Sequence, residues 1–201
     1  MQSKLWQTTD TLDQLIEEFT VWDDTITDLE FLPYDIEWTL GHGTMLHSIG
    51  ILTDDEHGTL QKGCQKILDT WNQWEFSIEK EQEDCHTAIE AYLTKNYGEL
   101  WKKIHTGRSR NDQSLTMIRL FLRDSMNEAK RLISELQDAL KKRATEENIV
   151  MPWYTHWQKA MPTDTRTWLW SFYDAIVDQS AYIVPYQEIL DQSPLWSAAG
   201  F

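Results

Sequence analysis

Apolar residues recur at intervals of three and four along most of this chain, the period of a helix with one buried stripe. The first such run, residues 11–20, sets Leu12, Leu15, Ile16 and Phe19 on one face. After Pro33, a second run over residues 36–52 carries Leu40, Leu46 and Ile49 as core candidates. Thr53-Asp54-Asp55-Glu56 has the Thr-x-x-Glu spacing of a capping box, which predicts a third helix through Leu60, Cys64, Ile67, Leu68 and Trp71. Residues 79–84 read as an acidic connector, and residues 86–97 as a shorter helix ended by Gly98.

The longest stripe is Leu115, Ile118, Leu122, Met126, Ala129, Ile133, Leu136 and Leu140. That near-heptad pattern is what helices in a bundle need at their seams. Met117, Phe121 and Leu132 lie off it, so this helix is expected to meet more than one neighbour, in a thick bundle or an oligomer core. The pattern fades by residues 146–148. Pro152 and Pro162 bracket a loop, and a last helical run over residues 163–189 is expected to kink or break at Pro185. There is no clean alternation and no Asn-Gly or Asp-Gly turn. The predicted fold class is all-α: a small N-terminal helical domain over residues 1–108, then the beginning of a long-helix bundle over residues 109–201.

Charge and composition narrow the function. With 201 residues and a net charge of −15, the chain lacks the basic surface that nucleic acid selects. No apolar run is long enough to span a bilayer, and the first ten residues carry neither a signal-peptide core nor an Arg-rich transit pattern. Cys64 and Cys85 lack CxxC spacing and fit free thiols, so the cytoplasm is the expected compartment. His42, His47 and His57 do not set two ligands on one helical face with a third nearby, so no metal site is expected, and no glycine pattern suggests a nucleotide cofactor.

Against this acidic background, residues 105–113 form a basic island beside Lys102 and Lys103. They hold no large apolar side chain and run straight into the long helical pattern. Free N–H groups at a helix start, with arginine forks, suit a carboxylate. A polar loop with a helix cap is the plainer alternative.

The string His105-Thr106-Gly107-Arg108-Ser109-Arg110-Asn111-Asp112-Gln113 resembles the motif of the argininosuccinate lyase family, a branch of the fumarase and aspartase superfamily. Two further strings match in the same order: Met151-Pro152-Trp153-Tyr154-Thr155-His156-Trp157-Gln158-Lys159-Ala160-Met161-Pro162, and Ser193-Pro194-Leu195-Trp196-Ser197-Ala198-Ala199-Gly200. Weaker similarity begins at Lys4-Leu5-Trp6. Adenylosuccinate lyase, fumarase and aspartase fit less well, because they lack the first string and usually carry Arg where this chain has Tyr154.

The resemblance implies reversible elimination of fumarate from argininosuccinate to give arginine, the last step of arginine synthesis, without a cofactor. Such an elimination needs a base, donors for the dianion and an acid for the departing nitrogen. By matched position, Arg110 and Asn111 contact substrate, and Ser109 either helps them or caps the helix. Thr155 contacts substrate and His156 belongs to the acid–base apparatus. His86, in the matching segment Glu83-Asp84-Cys85-His86-Thr87-Ala88-Ile89-Glu90, contacts substrate, orients a neighbour, or is an ordinary helix-start histidine. The family plan adds a central bundle that assembles as a homotetramer.

Three departures stand out. The family's Gly-Ser-Ser-x-Met-Pro-x-Lys-x-Asn loop, source of the serine usually assigned as base, is absent from these 201 residues, so the isolated chain is expected to be inactive. Asp24 stands where many members place a substrate-binding Ser; it would repel a succinyl group but could pair with a guanidinium. Finally, Trp22, Trp38, Trp74, Trp101, Trp153, Trp170 and Trp196 occupy positions where the family tends to have Gly. Translating a UGA codon as Trp, where the source organism reads Gly, accounts for that pattern, whereas Trp6, Trp71, Trp157 and Trp168 do not follow it. The competing expectations are a non-catalytic relic and a structural, crystallin-like member.

Overall fold

The computed structural model describes residues 23–98 and 100–195, together with Ile16, Phe19 and Val21; for Leu100 and Trp101 only the backbone is described. Most of the helix expected over residues 11–20 lies outside the described residues, as do Lys4-Leu5-Trp6, Trp22 and Trp196 to Gly200. The described residues form helices joined by short connections, in two compact units. One comprises the described residues up to Phe121 with Ser193–Leu195, and the other Leu122–Gln192.

In the first unit, α1 (Asp24–Ser48) begins twelve residues before the expected Ile36 and runs through Pro33. Proline inside a helix removes the donor to the carbonyl four residues back and normally breaks the element. Here that carbonyl, on Leu29, accepts a hydrogen bond from the indole Nε1 of Trp71 at 2.8 Å. The side chain of a neighbouring helix supplies the donor that Pro33 lacks. Leu46 is buried as expected, but Ile49 is exposed, because α1 has already ended at Ser48.

Helix α2 (Asp54–Asn72) starts on the predicted capping box: Glu56 N–H donates to Thr53 Oγ1 at 3.3 Å, and Thr53 N–H to Glu56 Oε2 at 2.9 Å. A 3-10 turn (Lys80–Gln82) leads into α3 (Cys85–Tyr97), which Gly98 closes at φ +62°. Gly63 permits the close approach of α2 and α3, since a Cβ there would lie 2.8 Å from both Leu93 and Tyr97. A short α4 (Leu100–Ile104) precedes α5 (Arg110–Glu146). Leu32, Ile36, Leu60, Ile67, Ile89 and Ile104 meet in one core with Met117 of α5. Each such side chain withdrawn from water contributes about 1.5–3 kcal/mol.

The second unit holds the rest of α5, then four two-residue strands. β1 (Val150–Met151) pairs antiparallel with β4 (Thr163–Asp164), and β2 (Tyr154–Thr155) with β3 (Gln158–Lys159). These ladders are too short to leave a readable alternation, so the sequence showed only a Pro-bracketed loop. Asp164 caps α6 (Thr165–Ser180) by accepting from Thr167 N–H at 2.6 Å. The expected interruption falls at Ala181 and Tyr182, before α7 (Ile183–Leu190), and Pro185 sits in the first turn of α7, where no N–H is required. Trp168, Phe172, Val177 and Ile189 are exposed along these two helices. Among the described residues, no helix is long and apolar enough to cross a membrane.

Candidate functional site

The basic island becomes the turn into α5. Gly107 takes φ +69°, a left-handed conformation that glycine adopts without strain. Ser109 then caps the helix: its N–H and its Oγ both donate to Asp112 Oδ2 at 3.0 Å, and Asp112 N–H donates back to Ser109 Oγ at 3.3 Å.

Arg110, the first residue of α5, sends Nη2 to Asp84 Oδ2 and to Thr87 Oγ1, the latter at 2.7 Å. Asp84 is itself the N-cap of α3, accepting from Thr87 N–H at 2.9 Å. The guanidinium therefore sits on the N-terminal turn of a second helix. Asn111 is exposed beside it. Arg108 is drawn inward, its guanidinium 4.8 Å from the centre of the Trp38 ring. Burial pushes its pKa down to about 10 against the pull of Asp35 and Glu90. His42 stacks on the same Trp38 and donates from Nε2 to the Thr106 carbonyl at 3.1 Å, fastening the turn to α1. Burial and the nearby Arg108 hold His42 below its ordinary range.

Directly beneath lies a polar cluster that sequence spacing did not reveal, because its members come from three helices. Asp35 of α1 is fully buried. Its Oδ2 accepts from His86 Nδ1 at 2.7 Å and its Oδ1 from Gln113 Nε2 at 2.5 Å. The other ring nitrogen of His86 bonds Ser114 Oγ at 2.9 Å. Burial by itself would push the His86 imidazole down, but the Asp35 carboxylate on Nδ1 outweighs it and holds the group above its ordinary range. Cys85 Sγ lies 3.9 Å from both Asp35 and His86, so three potential metal donors fall within 4.8 Å of one another. The acid and the imidazole already satisfy each other by a direct hydrogen bond. Burial, then Asp35, pushes the Cys85 thiol far up, which opposes the thiolate a metal would require.

The remaining candidates are Asp24, Thr155 and His156. Asp24 is exposed at the first turn of α1. Thr155 and His156 belong to the second unit: Thr155 ends β2, and His156 with Trp157 forms the two-residue turn into β3. Both turn residues have positive φ, +47° and +67°, the geometry of a type I′ hairpin. His156 is thereby presented at an exposed tip. Positive φ in two bulky residues is strained, and such strain clusters at functional sites.

The fold is shared with solved structures of other lyases. EDDS lyase in complex with formate superposes at a TM-score of 0.72 with 24% identity, over 94% of this chain and 38% of that one. The cobalt-bound fumarate lyase:delta crystallin from Brucella melitensis superposes at 0.74 with 16% identity, over 92% and 44%. The chain belongs to the lyase family, whose profile matches residues 6–201. Argininosuccinate lyase from Thermotoga neapolitana is 42% identical over the whole of this chain and 51% of its own length. The enzyme of the same name from Parabacteroides distasonis is 37% identical, over 45% of its length. These relatives bear out the resemblance carried by the three strings. The chain spans about half the length of the curated relatives it matches.

Proposed function

We propose that this chain is part of an argininosuccinate lyase that eliminates fumarate from argininosuccinate to leave arginine. The observation that carries the reading is the capped start of α5, where Arg110 and Asn111 stand on a helix N-terminus beside the first turn of α3. A helix N-terminus, with its dipole and a planar guanidinium on its first residue, suits a carboxylate. Thr155 and His156 are assigned as a substrate contact and an acid–base group delivered by a hairpin tip. Ser109 serves by holding the cap. His86 acts from beneath as an orienter, and Asp24 is reserved for the guanidinium end of the substrate.

A homotetramer in which a neighbouring protomer brings its His156 to the start of α5 completes the reading. The exposed apolar side chains of α6 and α7 support it, since a surface so rich in Trp168, Phe172, Val177 and Ile189 is suited to burial against another copy. A cytoplasmic setting fits the two buried, unbridged cysteines.

Calorimetric titration with argininosuccinate, adenylosuccinate and malate tests the reading. Argininosuccinate should bind most tightly, and Arg110→Ala should abolish that preference. Adenylosuccinate binding as tightly or better, or no dicarboxylate binding at all, would sink it.

A further inference from the structure

We propose that Asp35, His86 and Ser114 form a positioning relay that fixes the first two turns of α5 on α3 and so sets where Arg110 and Asn111 meet the substrate. The inference rests on the dicarboxylate reading above.

The relay joins three helices through residues far apart in the chain. Asp35 and His86 are 51 residues apart, and His86 and Ser114 are 28 apart. Asp35 is completely buried and His86 nearly so. A core built for stability alone would place apolar side chains here, because exchanging a buried charged group for a well-packed apolar one is often neutral or favourable. A satisfied polar network instead specifies orientation, since each bond has a fixed length and direction.

The geometry shows what is being oriented. Arg110 and Ser114 are four residues apart, hence on the same face of α5. Arg110 is tied to Asp84 and Thr87, and Ser114 to His86, all within the first turn of α3 or its cap. The two helix starts are thus joined by two ties one turn apart, which prevents α5 from sliding or rotating. Gln113 adds a third constraint by donating to the free oxygen of Asp35. Asn111 remains exposed beside this docked face. None of Asp35, Gln113 or Ser114 is itself assigned to touch substrate; they act through the two residues that do.

The test measures fumarate affinity and thermal midpoint for the full chain carrying Ser114→Ala, Ser114→Thr or Asp35→Asn. Ser114→Ala is expected to weaken fumarate binding about tenfold while leaving the thermal midpoint near that of the parent. Ser114→Thr, which keeps the hydroxyl, should recover most of the affinity, a rescue that a merely structural role would not give. Asp35→Asn should weaken binding at least as much; should it fail to fold, the serine pair decides alone. Parent-like affinity in Ser114→Ala overturns the relay and leaves the dicarboxylate reading standing. Failure of the parent chain to bind fumarate overturns both.

Discussion

The indole N–H of Trp71 donates to the carbonyl oxygen of Leu29 at 2.8 Å, the very acceptor that Pro33 cannot serve. This bond lets α1 continue through a proline. It also sets Trp71 apart from the tryptophans expected, from the family resemblance, to occupy glycine positions. Trp71→Phe keeps the ring's packing and deletes the donor. The expected loss is about 1–2 kcal/mol, the cost of stranding a part-buried carbonyl. A denaturant melt with an unshifted midpoint would show that water replaces the indole at no cost.

Trp74 presents the opposite case. It follows the end of α2 with φ +60° and is 94% exposed, so the side chain gains almost nothing from burial. A left-handed backbone costs a residue with a Cβ about 1–2 kcal/mol. Glycine returns part of that through its looser unfolded state, about 0.4–1 kcal/mol. Trp74→Gly should therefore stabilise the chain by up to about 1 kcal/mol, read as a raised denaturation midpoint. Peptide mass spectrometry of the protein from its source should find glycine at 74 if UGA is read there as Gly. Trp38 supports the codon reading less directly, since it is helical and makes stacking contacts with His42 and Arg108.

Periodicity and capping chemistry made the helices legible: the Thr53–Glu56 box and Gly98 mark their element ends as read. The start of α1 was hidden because Pro33 reads as a helix breaker, and only a residue 38 positions onward in the chain repairs it. The string around Arg110 pointed to chemistry by its density of polar and basic groups, whereas His156 stood out only through its string's resemblance to the family's. Asp35 and Ser114 gave no such sign, and Gln113 closes the first string without revealing its partner; what unites the three is three-dimensional packing. The hairpin at residues 154–159 was equally silent, because His-Trp replaces the Asn-Gly that usually marks such a turn.

Arg110 and Asp84 are both partly exposed, at 38% and 25%, so their pair is screened by solvent. Asp84→Asn should cost the fold less than about 1 kcal/mol from the lost charge pair, and the loss should shrink as salt is raised. The larger effect is expected on ligand binding. Freed from its carboxylate partner, Arg110 loses its fixed direction, and fumarate affinity should fall several-fold. Unchanged affinity alongside lowered stability would confine the pair to a structural role.

His86 makes its own contribution to the pH dependence of the first unit. Its folded value is raised above the ordinary 6.5, so the charged form is favoured in the fold. The sign is fixed by linkage: the stabilisation is fully present below about pH 6.5 and is lost as pH rises through the folded value. The stability advantage of the parent over His86→Gln should thus be largest on the acid side and shrink toward alkaline pH. Melts compared across that range at constant ionic strength would check this, and an advantage that grows with pH would reverse the assignment of charge.

Trp157 offers a test of how His156 is presented. At φ +67° and with its whole side chain in water, it bears the strain of a type I′ turn with no burial to offset it. Glycine adopts that conformation freely, and Asn-Gly or like pairs are the preferred occupants of such turns. Trp157→Gly should tighten the pairing of Tyr154 with Lys159 and of Thr155 with Gln158. Slower hydrogen exchange at the bonded amides of that ladder, with no cooperative loss elsewhere in the second unit, is the expected signature. Faster exchange would mean that the bulk of Trp157, and not the backbone turn, holds the hairpin that carries His156.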